Sequence, residues 1–136
     1  MKKLLFGLVG ACMLMFFASC EKQVEVNDAG IIGKWKLMTA TMIIDGQNVG
    51  SAEVVSYADE TYFYELTEDH EMYYTWEEER IDHEYMGHWS LFGKTLETDE
   101  WGLMKVEKLT SSKLVLHGNI SEGGDQIEMT FEFKRL

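Results

Sequence analysis

The feature that most constrains this chain is an alternation of apolar and polar residues with a period of two, repeated over most of residues 33–134. Such alternation puts one side of a strand in a core and the other in water. It is clearest at the end, where Ile127, Met129, Phe131 and Phe133 alternate with Glu128, Thr130, Glu132 and Lys134. Residues 113–120 place Leu114, Leu116 and Ile120 on one side, and Thr110-Ser111-Ser112 separates them from a strand over 103–109. Residues 81–91 bring His83, Tyr85, Gly87, Trp89 and Leu91 to one face. Residues 71–78 do the same for Met72, Tyr74 and Trp76, and 61–66 for Tyr62, Tyr64 and Leu66. A first strand over 33–44 and a short one over 95–98 complete the set. The links Thr67-Glu68-Asp69-His70 and Ser121-Glu122-Gly123-Gly124-Asp125 have turn composition. The chain has no proline, which suits long paired strands because proline removes a ladder donor.

Eight sequential strands joined mostly by short links predict an all-β, eight-stranded antiparallel up-and-down barrel, whose closure removes exposed edges. Residues 31–136 have the size of one domain. Only residues 47–60 resist this pattern. There Ala52, Val54, Val55 and Tyr57 fit a short helix or an irregular cap over one end.

The start of the chain is different. Lys2 and Lys3 precede an uncharged run from Leu4 to Ala18, which ends at Ser19-Cys20 with Glu21 directly after. A basic start, a short apolar run and a small-residue boundary make a secretory signal peptide. The run falls short of the roughly 20 apolar residues of a membrane-spanning helix. Phe17-Ala18-Ser19-Cys20 resembles the lipobox of bacterial lipoproteins, with Phe17 where Leu is usual. The resemblance implies cleavage before Cys20, lipid on its thiol and acylation of the new amino terminus. The alternative is an ordinary signal peptide with Cys20 as a free thiol. More than one acyl chain is needed for stable anchoring, since each buried methylene contributes only about 0.8 kcal/mol. Cys12 would leave with residues 1–19, so no disulfide is expected in the mature chain. Residues 20–30 are polar and aperiodic and read as a tether reaching at most about 35 Å. The expected location is the bacterial cell envelope, at the outer membrane.

Loss of Lys2 and Lys3 takes the net charge from −12 to −14. Phosphate-neutralising contact with nucleic acid and attraction to anionic lipid are both disfavoured by that sign. No nucleophile elbow, phosphate-cradling loop or paired-histidine zinc motif is present, so the reading is non-enzymatic, with no cofactor and no metal. Asp69-His70-Glu71 and Asp82-His83-Glu84 set imidazoles beside carboxylates, but His83 and His88 are five apart and face opposite sides of a regular strand. From Asp59 to Glu84 there are 11 acids and one base, Arg80, which reads as a solvated face.

Gly33-Lys34-Trp35 with Leu37 resembles the first-strand signature of lipocalins. Residues 89–96, 108–116 and the final Phe131-Glu132-Phe133-Lys134-Arg135-Leu136 resemble the lipocalin-like domain of Bacteroidetes lipoproteins. The resemblance implies a barrel whose closed end is capped by Arg135 packed over Trp35. This chain is shorter than typical lipocalins, and Thr98-Asp99 does not sit where the family's second motif would.

Tyr62, Tyr64, Tyr74, Trp76, Tyr85, Trp89, Phe131 and Phe133 share the presumed inner face with Trp35. They are the candidate ligand-binding residues, and two readings stay open. In one, the rings line a pocket for a small hydrophobic or aromatic molecule. In the other they fill the core, as side chains do in small barrels, and the protein is an accessory envelope lipoprotein whose outer surface meets a protein or glycan.

If Cys20 is the lipid acceptor, Cys20→Ala should abolish fatty-acid labelling and leave the protein soluble or uncleaved. A variant that stayed labelled and correctly processed would refute that role.

Overall fold

The computed structural model describes residues 22–45, 52–122 and 124–136; Cys20 and residues 1–19 lie outside them. A four-residue helix, α1 (Asp28–Ile31), precedes the strands. These are β1 (Gly33–Asp45), β2 (Ala52–Ser56), β3 (Tyr62–Leu66), β4 (Glu71–Trp76), β5 (Ile81–Phe92), β6 (Thr95–Thr98), β7 (Gly102–Leu109), β8 (Lys113–Glu122) and β9 (Asp125–Arg135).

From β3 to β9 each strand pairs antiparallel with the next. β1 pairs with β3 from Gly33↔Leu66 to Lys36↔Phe63. β9 returns along the other edge of β1, from Trp35↔Arg135 to Asp45↔Gln126. β1 and β3 to β9 therefore close the eight-stranded barrel that the alternation predicts.

The ninth strand is a correction. Residues 52–56, expected as a short helix or irregular cap, form β2, paired with β1 from Thr39↔Ser56 to Ile43↔Ala52. The reason is length. β1 has 13 residues and β3 has five, so the upper half of β1 would otherwise keep an open edge. β2 and β3 lie end to end along that one edge, and the chain breaks its pairing between them. There Tyr57 N donates to Met38 O at 2.8 Å, and Lys36 Nζ donates to Ala58 O at 2.7 Å.

The barrel wall has two heights. Above Thr41, β1 pairs only with β2 and β9, and residues 119–122 of β8 pair only with β9. The sheet β2-β1-β9-β8 thus extends beyond the strands opposite. The lower part is packed solid: Trp35, Trp89, Met72, Leu96, Met104 and Leu116 have no solvent exposure.

The N-terminal segment closes that lower end. Val24 N donates to Leu109 O at 2.8 Å, and Gln23 bridges Thr110. Asn27 caps α1 by accepting from Gly30 N at 2.8 Å, which helps a helix too short to persist alone. Ile31 is fully buried. The stretch read as a tether over residues 20–30 is thus laid against the barrel from Gln23 onward.

Arg135 locks this closure. Its guanidinium lies 4.1 Å from the centre of the Trp35 ring. Nη2 donates to Gly30 O at 2.6 Å, Nη1 to Ile32 O at 3.0 Å and Nε to Ser111 O at 2.9 Å. Trp35 Nε1 donates to Ile31 O at 2.8 Å. One planar fork thus ties the last strand, the first strand, the helix and the β7–β8 turn. Gly33 has φ +138°, and a Cβ there would stand 2.7 Å from Arg135 Nη1, so the lock also requires glycine at that position.

Arg135→Ala should cost about 2–4 kcal/mol in urea unfolding, from lost charge-assisted hydrogen bonds and lost stacking. Arg135→Lys should recover less than half, because an ammonium cannot span three carbonyls. An unchanged midpoint for Arg135→Ala would contradict this account of closure.

Candidate functional site

The end of the barrel away from α1 is built by the inner faces of β3 and β4. Tyr62 stands opposite Trp76 in the ladder, and Tyr64 opposite Tyr74. Such cross-strand aromatic pairs stabilise a sheet and also bring their rings together. The Tyr62 and Trp76 rings are 4.7 Å apart, Tyr62 and Tyr64 5.3 Å, and Tyr64 and Tyr74 6.2 Å and stacked.

Two aromatic residues join them that the alternation does not reveal. Tyr57 comes from the break between β2 and β3, with its ring 5.4 Å from Tyr62 and edge-on to Trp76 at 6.5 Å. Trp101 comes from the β6–β7 link, held by its N–H donating to Thr98 Oγ1 at 2.8 Å. Its indole reaches 4.9 Å from Tyr64 and 5.3 Å from Phe131. Both lie outside the regular strands, so only tertiary packing reveals them.

Depth separates these rings. Tyr64, Phe131 and Phe133 are buried, at 4%, 8% and 1% exposure. Tyr57, Tyr62, Tyr74, Trp76 and Trp101 are half-buried and form the rim above them. On the taller wall the same inner face continues upward as Met42, Ile44, Val55, Ile120, Ile127 and Met129 (by the registers Met42↔Met129 and Ile44↔Ile127), all half-buried. Among the described residues, this end therefore has an aromatic wall and an aliphatic wall.

The polar atoms of the aromatic wall are few. The Tyr62 and Tyr64 hydroxyls share a 2.6 Å hydrogen bond. Burial pushes both above the ordinary tyrosine value, and the field of Glu100 adds to this. Burial also raises Tyr74, assisted by the carboxylate of Glu84, its partner across β4 and β5. These tyrosines are neutral donors throughout the physiological range. The indole N–H of Trp76 is buried and has no hydrogen-bond partner.

Two of the expected site residues are elsewhere. Tyr85 is 50% exposed and faces outward. The pairing passes from Met72↔Gly87 to Tyr73↔Tyr85, so Met86 is an extra residue in β5, and a bulge of one residue reverses every face beyond it. The same bulge puts His83 and His88 on one side, where regular spacing would separate them. Trp89 does point inward, but it lies at the closed end. There its Nε1 donates to Thr67 O at 3.1 Å and its ring meets His70 at 4.5 Å. His70 in turn bonds Asp28 of α1 at 2.8 Å. Trp89 is part of the packed floor, and Trp35 and Arg135 belong to the lock described above.

The outer face of β4 and β5 carries a second aromatic row. His83 stacks on Tyr73 at 4.2 Å, Tyr73 meets Tyr85 at 5.6 Å, and Tyr85 meets His88 at 6.0 Å. Glu65 pairs with His83 at 3.1 Å, Asp99 with His88 at 3.5 Å, and Tyr73 donates to Glu71 at 2.6 Å. Asp99 also accepts from His88 N at 2.8 Å and fills the space beside Gly87, whose φ is +111°.

Comparison with known proteins adds no relative: no family model matches the chain, and neither a curated protein nor a solved structure does.

Proposed function

We propose that this protein is a lipocalin-like lipoprotein, anchored in the bacterial envelope through Cys20, that binds a small apolar molecule at the open end of its barrel. The observation that carries this reading is the half-buried rim of Tyr57, Tyr62, Tyr74, Trp76 and Trp101 facing an aliphatic wall, directly above a solid floor. A deep internal pocket among Tyr64, Phe131 and Phe133 is not part of the proposal, because those rings are packed against one another and against Trp101.

The division of the rings favours a shallow site. Rings that serve only as core sink to full burial, as Trp35 and Trp89 do. Tyrosine and tryptophan at a wet boundary offer an apolar body and a polar tip, which suits a ligand with a flat body and a few polar groups. The methionines at positions 42, 86 and 129 are half-buried and adaptable in shape.

A second reading has its own observation. The exposed row His83-Tyr73-Tyr85-His88, bordered by carboxylates, suits an accessory lipoprotein that meets a protein or glycan through its outer surface. An intact mouth with no small-molecule binding would favour it.

Tryptophan fluorescence of the purified protein, titrated with lipids, sterols, quinones and aromatic metabolites, tests the first reading. At least one class should quench saturably, and Trp101→Leu should weaken its binding about tenfold, the equivalent of ~1.4 kcal/mol. Linear, unsaturable responses across the panel would overturn the mouth as a binding site.

A further inference from the structure

Among the described residues, Trp76 Nε1 is the one buried side-chain nitrogen or oxygen without a hydrogen-bond partner. Trp35 and Trp89, buried more deeply, both donate to backbone carbonyls. A buried donor left unpaired is an exception in native structures and calls for an explanation. Here it sits in the aromatic wall, against Tyr62 and Tyr57. A second donor stands nearby. The Tyr62 and Tyr64 hydroxyls carry one proton each, and their mutual bond uses one of the two.

The acceptors at the mouth have the opposite character. Glu84 stands across the ladder from Tyr74, and the Glu100 carboxylate acts on Tyr62, Tyr64 and Tyr74. The whole chain carries −12. An anionic ligand would meet repulsion on approach and at the rim. The site thus offers one unpaired N–H, with a spare hydroxyl proton nearby, in a negative field, and its complement is an acceptor without negative charge.

We propose that the mouth selects neutral carbonyl compounds with a flat apolar body, and that their entry beside the Tyr57 and Tyr62 rings uncovers Trp76 Nε1–H, which donates to the carbonyl oxygen. This rests on the mouth being the binding site. It adds the chemical class of the ligand and the residue that recognises it. A site that offers a donor also discriminates against the analogue lacking the acceptor, because binding that analogue leaves the donor unpaired.

The test is equilibrium dialysis of the purified full chain with 2-acetylnaphthalene, 2-ethylnaphthalene and 2-naphthoate, which share one ring system and differ in acceptor and charge. The ketone should bind about tenfold more tightly than the hydrocarbon, the worth of one hydrogen bond. The carboxylate should bind more weakly than the ketone. Trp76→Phe keeps a ring but no N–H, and should bring the ketone-to-hydrocarbon ratio close to one. Equal binding of ketone and hydrocarbon by the wild type would overturn the proposal and leave the mouth reading standing, as would a preference that survives in Trp76→Phe. Tightest binding of 2-naphthoate would overturn the charge selection. If none of the three binds, this inference is overturned, while the mouth reading is decided separately by the fluorescence panel. Should Trp76→Phe not fold, the wild-type ratio alone still decides.

Discussion

Closure of β9 onto β1 is the interaction on which the other features rest. It joins residues a hundred positions apart, from Trp35↔Arg135 upward, and it leaves the barrel without a free edge at its base. Arg135 turns that pairing into a lock by stacking on Trp35 and reaching three carbonyls outside the strands. A mature chain expected to lack any disulfide must hold its ends together by such contacts alone. The lock supplies donors to the carbonyls of Gly30, Ile31 and Ile32, and the N-terminal segment before α1 finds an acceptor in Leu109 O for Val24 N.

A floor closed in this way lets the opposite end be uneven. Eight strands around a small barrel leave an interior just wide enough for side chains, and Trp35, Trp89, Met72 and their neighbours fill it. Above them the ends of β1, β8 and β9 pair only with one another and with β2, which covers the edge that β1 would otherwise expose. The aromatic residues of the shorter wall then face an aliphatic surface on the taller one. The mouth is thus a consequence of how far each strand stays paired, and its chemistry follows from which side chains the register turns inward.

The barrel was legible from residue alternation because period two is the direct imprint of a pleated, half-buried sheet. Tyr62, Tyr64, Tyr74, Trp76, Phe131 and Phe133 lie on regular stretches, and their inward direction could be read in the same way. Tyr85 could not, because the bulge at Met86 is set by the fit of β5 against β4 and Asp99, and its one local mark, Gly87, does not tell which side of it the faces reverse on. Residues 52–56 escaped for another reason: five residues with Val54 and Val55 adjacent carry no readable period, and what makes them a strand is the unpaired half of β1. Tyr57 and Trp101 sit in links, where side-chain direction depends on the whole fold. The unpaired N–H of Trp76 is likewise a property of packing.

One end of the barrel is a locked, solid floor, and the other is the mouth proposed to receive a flat apolar molecule. The chain has four tryptophans, two at each end: Trp35 and Trp89 in the floor, Trp76 and Trp101 in the mouth. Their indole N–H resonances in a nitrogen-15 correlation spectrum of the purified protein therefore report on the two ends separately. As 2-acetylnaphthalene is added, the Trp76 and Trp101 signals should shift progressively to saturation while those of Trp35 and Trp89 stay fixed. Four unmoved signals, or shifts confined to Trp35 and Trp89, would contradict the account.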